Sequence, residues 1–242
     1  MRPPAIALVA LLVGVGAVAL APRAKGGDPA CPTEMAQVEG AFCIDRFEAT
    51  LDEVDDAGNL VRAHPANEPV GARKVAARSV RGVLPQAYVS RDDADAACRN
   101  AGKRLCTDTE WQKACRGTHA TKFPYGTRRR AGVCNDRGAE PLAAVFGRPA
   151  AKTSWDFDTM NDPRLSLVPG GLARTGRYSS CTSDLRVYDM VGNLHEWTAD
   201  KGGTFRGGYY LDTKINGEGC DYKTTAHDAK YHDYSTGFRC CK

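Results

Sequence analysis

The spacing of apolar positions predicts two short helices between residues 90 and 116. Ser90 is a suitable N-cap for the first helix, and Gly102 is a suitable end. The apolar face of this helix consists of Ala94, Ala97, Cys98 and Ala101. The second helix begins at Thr107, which forms a capping box with Glu110. Its buried face consists of Trp111, Ala114 and Cys115, and the two helices pack side by side if residues 103–106 turn tightly.

Periodicity is weak in the rest of the chain. Residues 42–48 alternate like a β-strand, and short strands are expected within 187–200 and 204–211, around a Gly192-Asn193 turn. The stretch 51–73 is polar and contains Pro65 and Pro69, so we expect a loop there. Loops are also expected to dominate 117–183. About half of the chain is therefore expected to be irregular, which is more than in an ordinary domain.

The N-terminus has the pattern of an export signal. Arg2 precedes an apolar run from Ala5 to Ala21, and small residues follow. We predict a signal peptide at 1–24, a linker at 25–30 and one domain at 31–242. The apolar run is short for a membrane span of about 20 residues, although an uncleaved anchor is the alternative. The predicted location is periplasmic, cell-surface or extracellular.

Composition narrows the class of protein. The ten cysteines are an even number, and in an oxidising compartment they are expected to form disulfides. The net charge of +4 comes from basic and acidic residues that are mixed along the chain, so no nucleic-acid partner is expected. We also expect a monomer.

Four sequence blocks carry a resemblance to a known family. In chain order they are Gly102-Lys103-Arg104-Leu105, Thr109-Glu110-Trp111 with Cys115-Arg116-Gly117, Tyr188 to Thr198 with Phe205-Arg206-Gly207-Gly208, and Gly237-Phe238-Arg239-Cys240. Together they resemble the formylglycine-generating enzyme family, the sulfatase-modifying-factor domain. The resemblance covers roughly residues 31–241. It implies a compact α+β fold related to C-type lectins, rich in loops and stapled by disulfides.

The chain departs from that family at the catalytic position. The resemblance implies a Gly-Gly-Ser-aromatic strand followed by two cysteines that bind copper(I) and oxidise a substrate cysteine to formylglycine. Here Tyr209 replaces the serine, Asp212 stands at the first cysteine, and Asn216 or Gly217 stands at the second. Copper chemistry is therefore not expected, because copper(I) prefers paired thiolates. Asp212, Cys220 and His227, which lies near the position of an active-site arginine, are the candidates for a rearranged oxidoreductase site.

Two other metal sites are conceivable from residue types alone. Some relatives bind non-haem iron. The local candidates for its ligands are His227, His232 and Asp233, and His195, which is remote in sequence, could approach them in the fold. A zinc site could use Cys220, His227, His232 and Cys240 or Cys241. Surface or hydrogen-bonded histidines and disulfide-bonded cysteines are the favoured interpretation.

The resemblance also implies disulfide pairs. It pairs Cys98 with Cys240 and Cys115 with Cys220. The local pair Cys31–Cys43 could close a small loop, and Cys134–Cys181 and Cys106–Cys241 remain by elimination. The adjacent cysteines Cys240 and Cys241 leave open an exchange of partners between Cys98 and Cys106.

Residues 189–196 predict a calcium site. Two carboxylates, Asp189 and Glu196, flank a turn at Gly192, and hard oxygen ligands suit calcium. The resemblance adds the carbonyls of Gly192 and Leu194 as ligands. It also places a second site at Asn135 and the carbonyl of Asp136, with downstream ligands that we could not locate.

These observations favour an exported, calcium-stabilised binding protein for a peptide or glycan, with the family's fold but without its copper activity. The alternative is an oxygen-dependent oxidoreductase of the same superfamily, acting on a protein or small thiol through a rearranged site. A purely structural surface protein is a third hypothesis, and it would have no concave site. Sequence alone leaves open whether the chain is an enzyme.

Overall fold

The computed structural model describes Met1 and residues 31–147, 156–225 and 227–242. Apart from Met1, the predicted signal peptide at 1–24 and linker at 25–30 lie outside these residues. The strands are β1 Met35–Val38, β2 Phe42–Asp45, β3 Ala49–Val54, β4 Leu60–Ala63, β5 Val75–Ser79, β6 Arg104–Leu105, β7 His195–Trp197, β8 Phe205–Arg206, β9 Lys223–Thr224, β10 Thr236–Phe238 and β11 Cys240–Cys241. The helices are α1 Arg91–Asn100, α2 Asp108–Arg116, α3 Pro141–Phe146 and α4 Phe157–Met160.

The strands form three small sheets, with orders β1-β2-β11-β6, β10-β7-β8-β9 and β4-β3-β5. The last two strands of the chain tie two of these sheets together. Strand β10 runs parallel to β7, with Thr236 opposite His195, while β11 lies between β2 and β6. The fold is α+β and rich in loops, as predicted.

Both long helices form where their caps predict them. The Ser90 hydroxyl accepts a hydrogen bond from the Asp93 amide at 3.1 Å, and the capping box of Thr107 and Glu110 is complete. Ala94, Ala97 and Cys98 are buried on α1, and Trp111, Ala114 and Cys115 are buried on α2. The chain between the helices turns through β6. Local side-chain chemistry therefore determined these two elements.

The prediction of a loop at 51–73 was wrong. Strands β3 and β4 form an antiparallel hairpin there, closed by a turn in which the Asp55 carboxylate accepts the Asn59 amide at 2.8 Å. Strand β4 is exposed throughout and has no apolar–polar alternation, so the sequence pattern did not indicate a strand. Three other boundaries differ: the strand predicted at 42–48 ends at Asp45, and only β7 and β8 form within 187–211. The stretch 117–183 is mostly irregular, with α3 and α4 as short exceptions.

Five disulfides cross-link the described chain, and no cysteine within it is free. They are Cys31–Cys43, Cys98–Cys240, Cys106–Cys241, Cys115–Cys220 and Cys134–Cys181. These pairs coincide with those expected above, and the exchange between Cys98 and Cys106 is not adopted. Such a set of bridges is typical of an oxidising, exported environment. Within the described ranges, no helix is both long and apolar enough to cross a membrane.

Candidate functional site

A cavity of about 480 Å³ opens beside the sheet formed by β7, β8 and β9. Its lining includes residues from the segment in which the resemblance implies the copper-binding cysteines. Its wall is largely aromatic. The lining residues are Phe157, Met160, His195, Phe205, Tyr209, Asp212, Ile215, Asn216, Tyr222, Thr224, His227, Tyr231, Asp233, Tyr234 and Ser235.

The pleat of β7 separates two sites. Neighbouring side chains on a strand point to opposite faces of the sheet. His195 lines the cavity, whereas the next residue, Glu196, pairs with Arg239 and Trp111 in the interior. The sequence run 188–198 therefore contributes one side chain to the cavity wall and another to a buried ion network.

A tight turn after β8 brings Asp212 to the cavity. Tyr209 and Asp212 exchange backbone hydrogen bonds of 2.8 and 3.0 Å. Gly208 has φ +70°, and a Cβ atom there would lie 2.2 Å from the Asp212 carbonyl oxygen. Only glycine fits this position without distortion. The Gly-Gly pair thus sets the direction in which the next residues leave the sheet.

The resemblance implies cysteines at Asp212 and at Asn216 or Gly217, and the side chains of Asp212 and Asn216 are hydrogen-bonded. The Tyr222 hydroxyl donates to Asp212 Oδ2 at 2.7 Å, and the amides of Lys214 and Ile215 donate to Oδ1 at 2.8 and 3.0 Å. Asn216 donates to the hydroxyl of Thr224 at 2.6 Å. These contacts fix the cavity floor without any thiol.

The candidate thiol of a rearranged enzyme is not available. Cys220 is buried and bonded to Cys115, and it does not line the cavity. A disulfide sulfur cannot act as the thiolate that redox or copper chemistry requires. The assignment of Cys220 as a catalytic candidate is therefore wrong in this oxidised chain, while Asp212 and His227 do lie in the cavity.

Two histidines of the cavity are held in aromatic surroundings. The His195 ring lies 4.5 Å from Phe205 and 4.9 Å from Tyr209, measured between ring centroids. Burial lowers the pKa of His195 to about 3, so its imidazole is neutral at physiological pH. His227 stacks on Tyr231 at 3.9 Å, and burial lowers its pKa as well.

The iron and zinc candidates are not assembled. The Asp233 carboxylate accepts the Tyr231 hydroxyl at 2.5 Å and both the amide and hydroxyl of Ser235. The Nδ1 atom of His232 lies 3.1 Å from the Lys230 carbonyl oxygen. Across the part of the chain that is described, no group of three or more His, Cys, Asp or Glu side chains could hold a metal ion. Cys220, Cys240 and Cys241 are all bonded in disulfides, so the zinc alternative has no free thiolate among these residues.

The predicted calcium segment surrounds a buried ion pair. Both oxygens of Glu196 contact the Arg239 guanidinium at 2.6 Å, and the Trp111 indole donates to Oε2 at 2.7 Å. The two charged side chains are 1 % and 0 % exposed. Neither Arg239 nor Trp111 was singled out from the sequence as a partner of this turn, because they lie far away along the chain.

Negative charge exceeds positive charge around this pair. Asp189 accepts the Gly176 amide at 2.6 Å, and burial raises the pKa of its carboxyl to about 6. Burial and the charges of Asp189 and Glu196 raise the pKa of Glu48 well above its usual range. Three buried carboxyl groups thus lie around the Arg239 guanidinium, and Arg81 also acts on Asp189. Sequence analysis did not identify Glu48, since no local pattern places it here.

The turn supplies hard oxygen donors, although within the described chain no three acidic side chains are arranged to hold an ion together. A carboxylate offers about four lone-pair sites. Glu196 uses three of them for Arg239 and Trp111, and Asp189 uses one for Gly176, so each keeps a free acceptor site. The carbonyls of Gly192 and Leu194 belong to the same turn. Calcium is compatible with these residues in charge and donor type, and its binding stays a prediction.

The second predicted calcium site, at Asn135 and the carbonyl of Asp136, stays a prediction, and the side chains of both residues have partners within the protein. Asn135 donates its amide to the Gly171 carbonyl and to Asn193 Oδ1, both at 2.9 Å, and it therefore joins the first turn. The Asp136 carboxylate instead pairs with Arg129 at 2.6 Å. Gly192 fits against this segment, since a Cβ atom there would lie 2.1 Å from the Asn135 carbonyl oxygen.

The fold and the two faces of β7 define a class: disulfide-stapled, loop-rich α+β domains of the formylglycine-generating type. The model of the sulfatase-modifying factor enzyme 1-like domain matches residues 9–242, and the chain belongs to this family.

Curated relatives include enzymes and a protein named as inactive. The chain is 31% identical to the mouse (Mus musculus) formylglycine-generating enzyme over 118 residues, 48% of this chain and 27% of that protein. It is 32% identical to the Mycobacterium tuberculosis enzyme over 116 residues, 47% of this chain and 32% of that protein. It is 25% identical to the "Inactive C-alpha-formylglycine-generating enzyme 2" of Bos taurus over 168 residues, 65% of this chain and 50% of that protein. The chain thus spans between about a quarter and a half of their lengths.

Among solved structures, PvdO from Pseudomonas aeruginosa matches with a TM-score of 0.48 and 16% identity, over 83% of this chain and 79% of that chain.

Proposed function

We propose that this domain binds an exported or extracellular ligand, a peptide or a glycan, in the aromatic cavity and performs no copper chemistry. One observation carries the proposal. Asp212 and Asn216 or Gly217 stand where the resemblance implies the family's two cysteines, Asp212 and Asn216 are hydrogen-bonded, and the described chain has no free thiol. The relative named as inactive is consistent with loss of the activity in this family.

The rim of the cavity supports a binding role. Phe157 is 52% exposed and Ile215 is 82% exposed, and both line the opening. Large apolar side chains in such positions commonly contact a partner. The interior contributes the ring of Tyr209, which can stack on a sugar ring or a peptide side chain.

The binding role is tested by capture of ligands on peptide and glycan arrays. We expect the wild-type domain to capture a subset of ligands, and the Tyr209→Ala variant to lose them. Phe146→Ala is the matched control, because Phe146 is partly exposed but does not line the cavity. Ligands that bind wild type and Tyr209→Ala equally would place binding elsewhere and refute the proposal.

The loss of copper chemistry has its own test. The oxidised domain is incubated with copper(I), oxygen and a Cys-x-Pro-x-Arg peptide, and the peptide is weighed by mass spectrometry. We expect no conversion of cysteine to formylglycine above a control without protein. Conversion would show an enzyme and would reject this part of the proposal.

We further propose that calcium stabilises the turn at 189–196. The support is the excess of buried carboxylate and the free acceptor sites on Asp189 and Glu196. At a calcium concentration ten times the Kd, binding adds about 1.4 kcal/mol of stability and raises Tm. Asp189→Asn should abolish the calcium-dependent rise, whereas Asp184→Asn, which contacts Thr118 elsewhere, should keep it. An unchanged melting curve after chelation, together with no metal by elemental analysis, would reject the calcium site.

A further inference from the structure

The charged side chains of the cavity have a single sign. Asp212 and Asp233 are carboxylates, and the described lining residues include no lysine or arginine. Burial lowers the pKa of His227, so its imidazole adds no positive charge at neutral pH. The cavity is therefore negative, and its low-polarity walls strengthen the attraction for a cation.

Both carboxylates are already hydrogen-bonded by the protein. Asp212 accepts the Tyr222 hydroxyl and two backbone amides. Asp233 accepts the Tyr231 hydroxyl and both donors of Ser235. Since a carboxylate has about four lone-pair sites, each retains only one for a ligand. The two groups thus contribute charge but few acceptor positions.

Aromatic rings make up most of the remaining wall. The aromatic lining residues, besides the two histidines, are Phe157, Phe205, Tyr209, Tyr222, Tyr231 and Tyr234. The face of an aromatic ring attracts a cation within about 6 Å of its centroid. The wall therefore combines two carboxylates with a majority of aromatic rings.

We propose that the cavity binds a quaternary ammonium group of the ligand. This inference rests on the binding function proposed above and specifies the ligand's chemistry. A trimethylammonium group has charge and apolar methyl surface but no N–H donors, so it suits a wall of aromatic rings and two carboxylates that each have one free acceptor site. A lysine ammonium carries three N–H donors and an arginine guanidinium five, more than the two carboxylates can accept.

The test uses three small probes on the oxidised full chain, each titrated by calorimetry and by NMR. Choline carries the quaternary ammonium, 3,3-dimethylbutan-1-ol is its neutral isostere, and ethanolamine is its primary-ammonium counterpart. We expect choline to bind about tenfold more tightly than either of the others, a difference of about 1.4 kcal/mol.

Variants locate the effect in the cavity. Asp212→Asn should weaken choline binding about tenfold. Asp184→Asn, which does not line the cavity, should leave it unchanged. Tyr222→Phe keeps the ring and the Asp212 charge but frees an acceptor site, so ethanolamine should gain affinity while choline stays within about twofold. This second variant keeps the test decisive if Asp212→Asn does not fold.

Equal affinity for choline and its neutral isostere would overturn the cationic assignment. Ethanolamine binding as tightly as choline would overturn the quaternary preference. No detectable choline binding, at a choline concentration about 100 times a millimolar Kd, would overturn it as well. In each case, the proposed binding function would stand if capture of ligands on the arrays is still lost in the Tyr209→Ala variant. Loss of that dependence would instead remove the proposed function itself.

Discussion

Replacing His195 by phenylalanine should remove part of the acid sensitivity of the fold. His195 is buried among Phe205, Tyr209 and Tyr222, with ring centroids 4.5, 4.9 and 5.5 Å from its own. Burial lowers its pKa to about 3 from the ordinary histidine value of 6.5. At a pH between these two pKa values, His195 is protonated in the unfolded chain and neutral in the folded chain. The resulting stability is complete above pH 6.5 and is lost as the pH falls toward 3.

The magnitude follows from the two pKa values. Between pH 7 and pH 4.5 the unfolded form gains nearly one proton on His195, and linkage gives a loss of about 2.5 kcal/mol in the free energy of unfolding. The His195→Phe variant lacks this contribution. Carboxylates titrate in both proteins, so their contribution cancels when the pH-dependent losses in the free energy of unfolding are compared.

The assay is denaturant unfolding at pH 7 and pH 4.5 with the disulfides intact. The wild type should lose about 2.5 kcal/mol more than the variant over this interval. His119→Phe is the matched control, because the His119 side chain is 80% exposed, and it should behave like the wild type. Equal losses in wild type and His195→Phe would show that His195 is not held neutral, and would contradict the cavity structure described here.

Three further predictions concern the scaffold. Cys98→Ala should lower the free energy of unfolding by about 2–5 kcal/mol in denaturant titrations, because the Cys98–Cys240 bridge closes a long loop, and a loss under about 1 kcal/mol would contradict this role. Glu196→Gln should cost about 3–5 kcal/mol without calcium and more with it, since it leaves the Arg239 guanidinium buried without its main partner and removes a proposed calcium ligand, and a Tm close to that of the wild type would argue against the ion pair. Gly208→Ala should weaken capture of cavity ligands and lower Tm, because the added Cβ meets the Asp212 carbonyl, and unaltered capture would show that the turn does not shape the cavity.

Local chemistry explains which elements could be predicted from the sequence. The caps of α1 and α2 consist of residues three positions apart, so the sequence contains the whole interaction. The hairpin at 49–63 was missed because β4 is exposed on an edge and has no apolar alternation. The disulfides join residues up to 142 positions apart, and the family resemblance, not spacing, indicated the pairs of Cys98 and Cys115.

The candidate site could be located but not described in detail from the sequence. The Gly-Gly strand and the missing cysteines pointed to the region of Asp212. The walls of the cavity, however, come from tyrosines such as Tyr222 and Tyr234, whose spacing has no pattern that separates them from ordinary core residues. The buried network at Glu196 likewise depends on Trp111, 85 positions away in the chain. Such contacts are set by the tertiary fold.

The central claim is that the catalytic position of this family has become a thiol-free binding cavity. Alkylation of the denatured, unreduced protein tests it most directly, with non-reducing peptide mapping by mass spectrometry. We expect no alkylation and a linked peptide pair containing Cys115 and Cys220. Stoichiometric labelling of Cys220 would contradict the claim, because a free thiol near Asp212 would restore a candidate for redox chemistry.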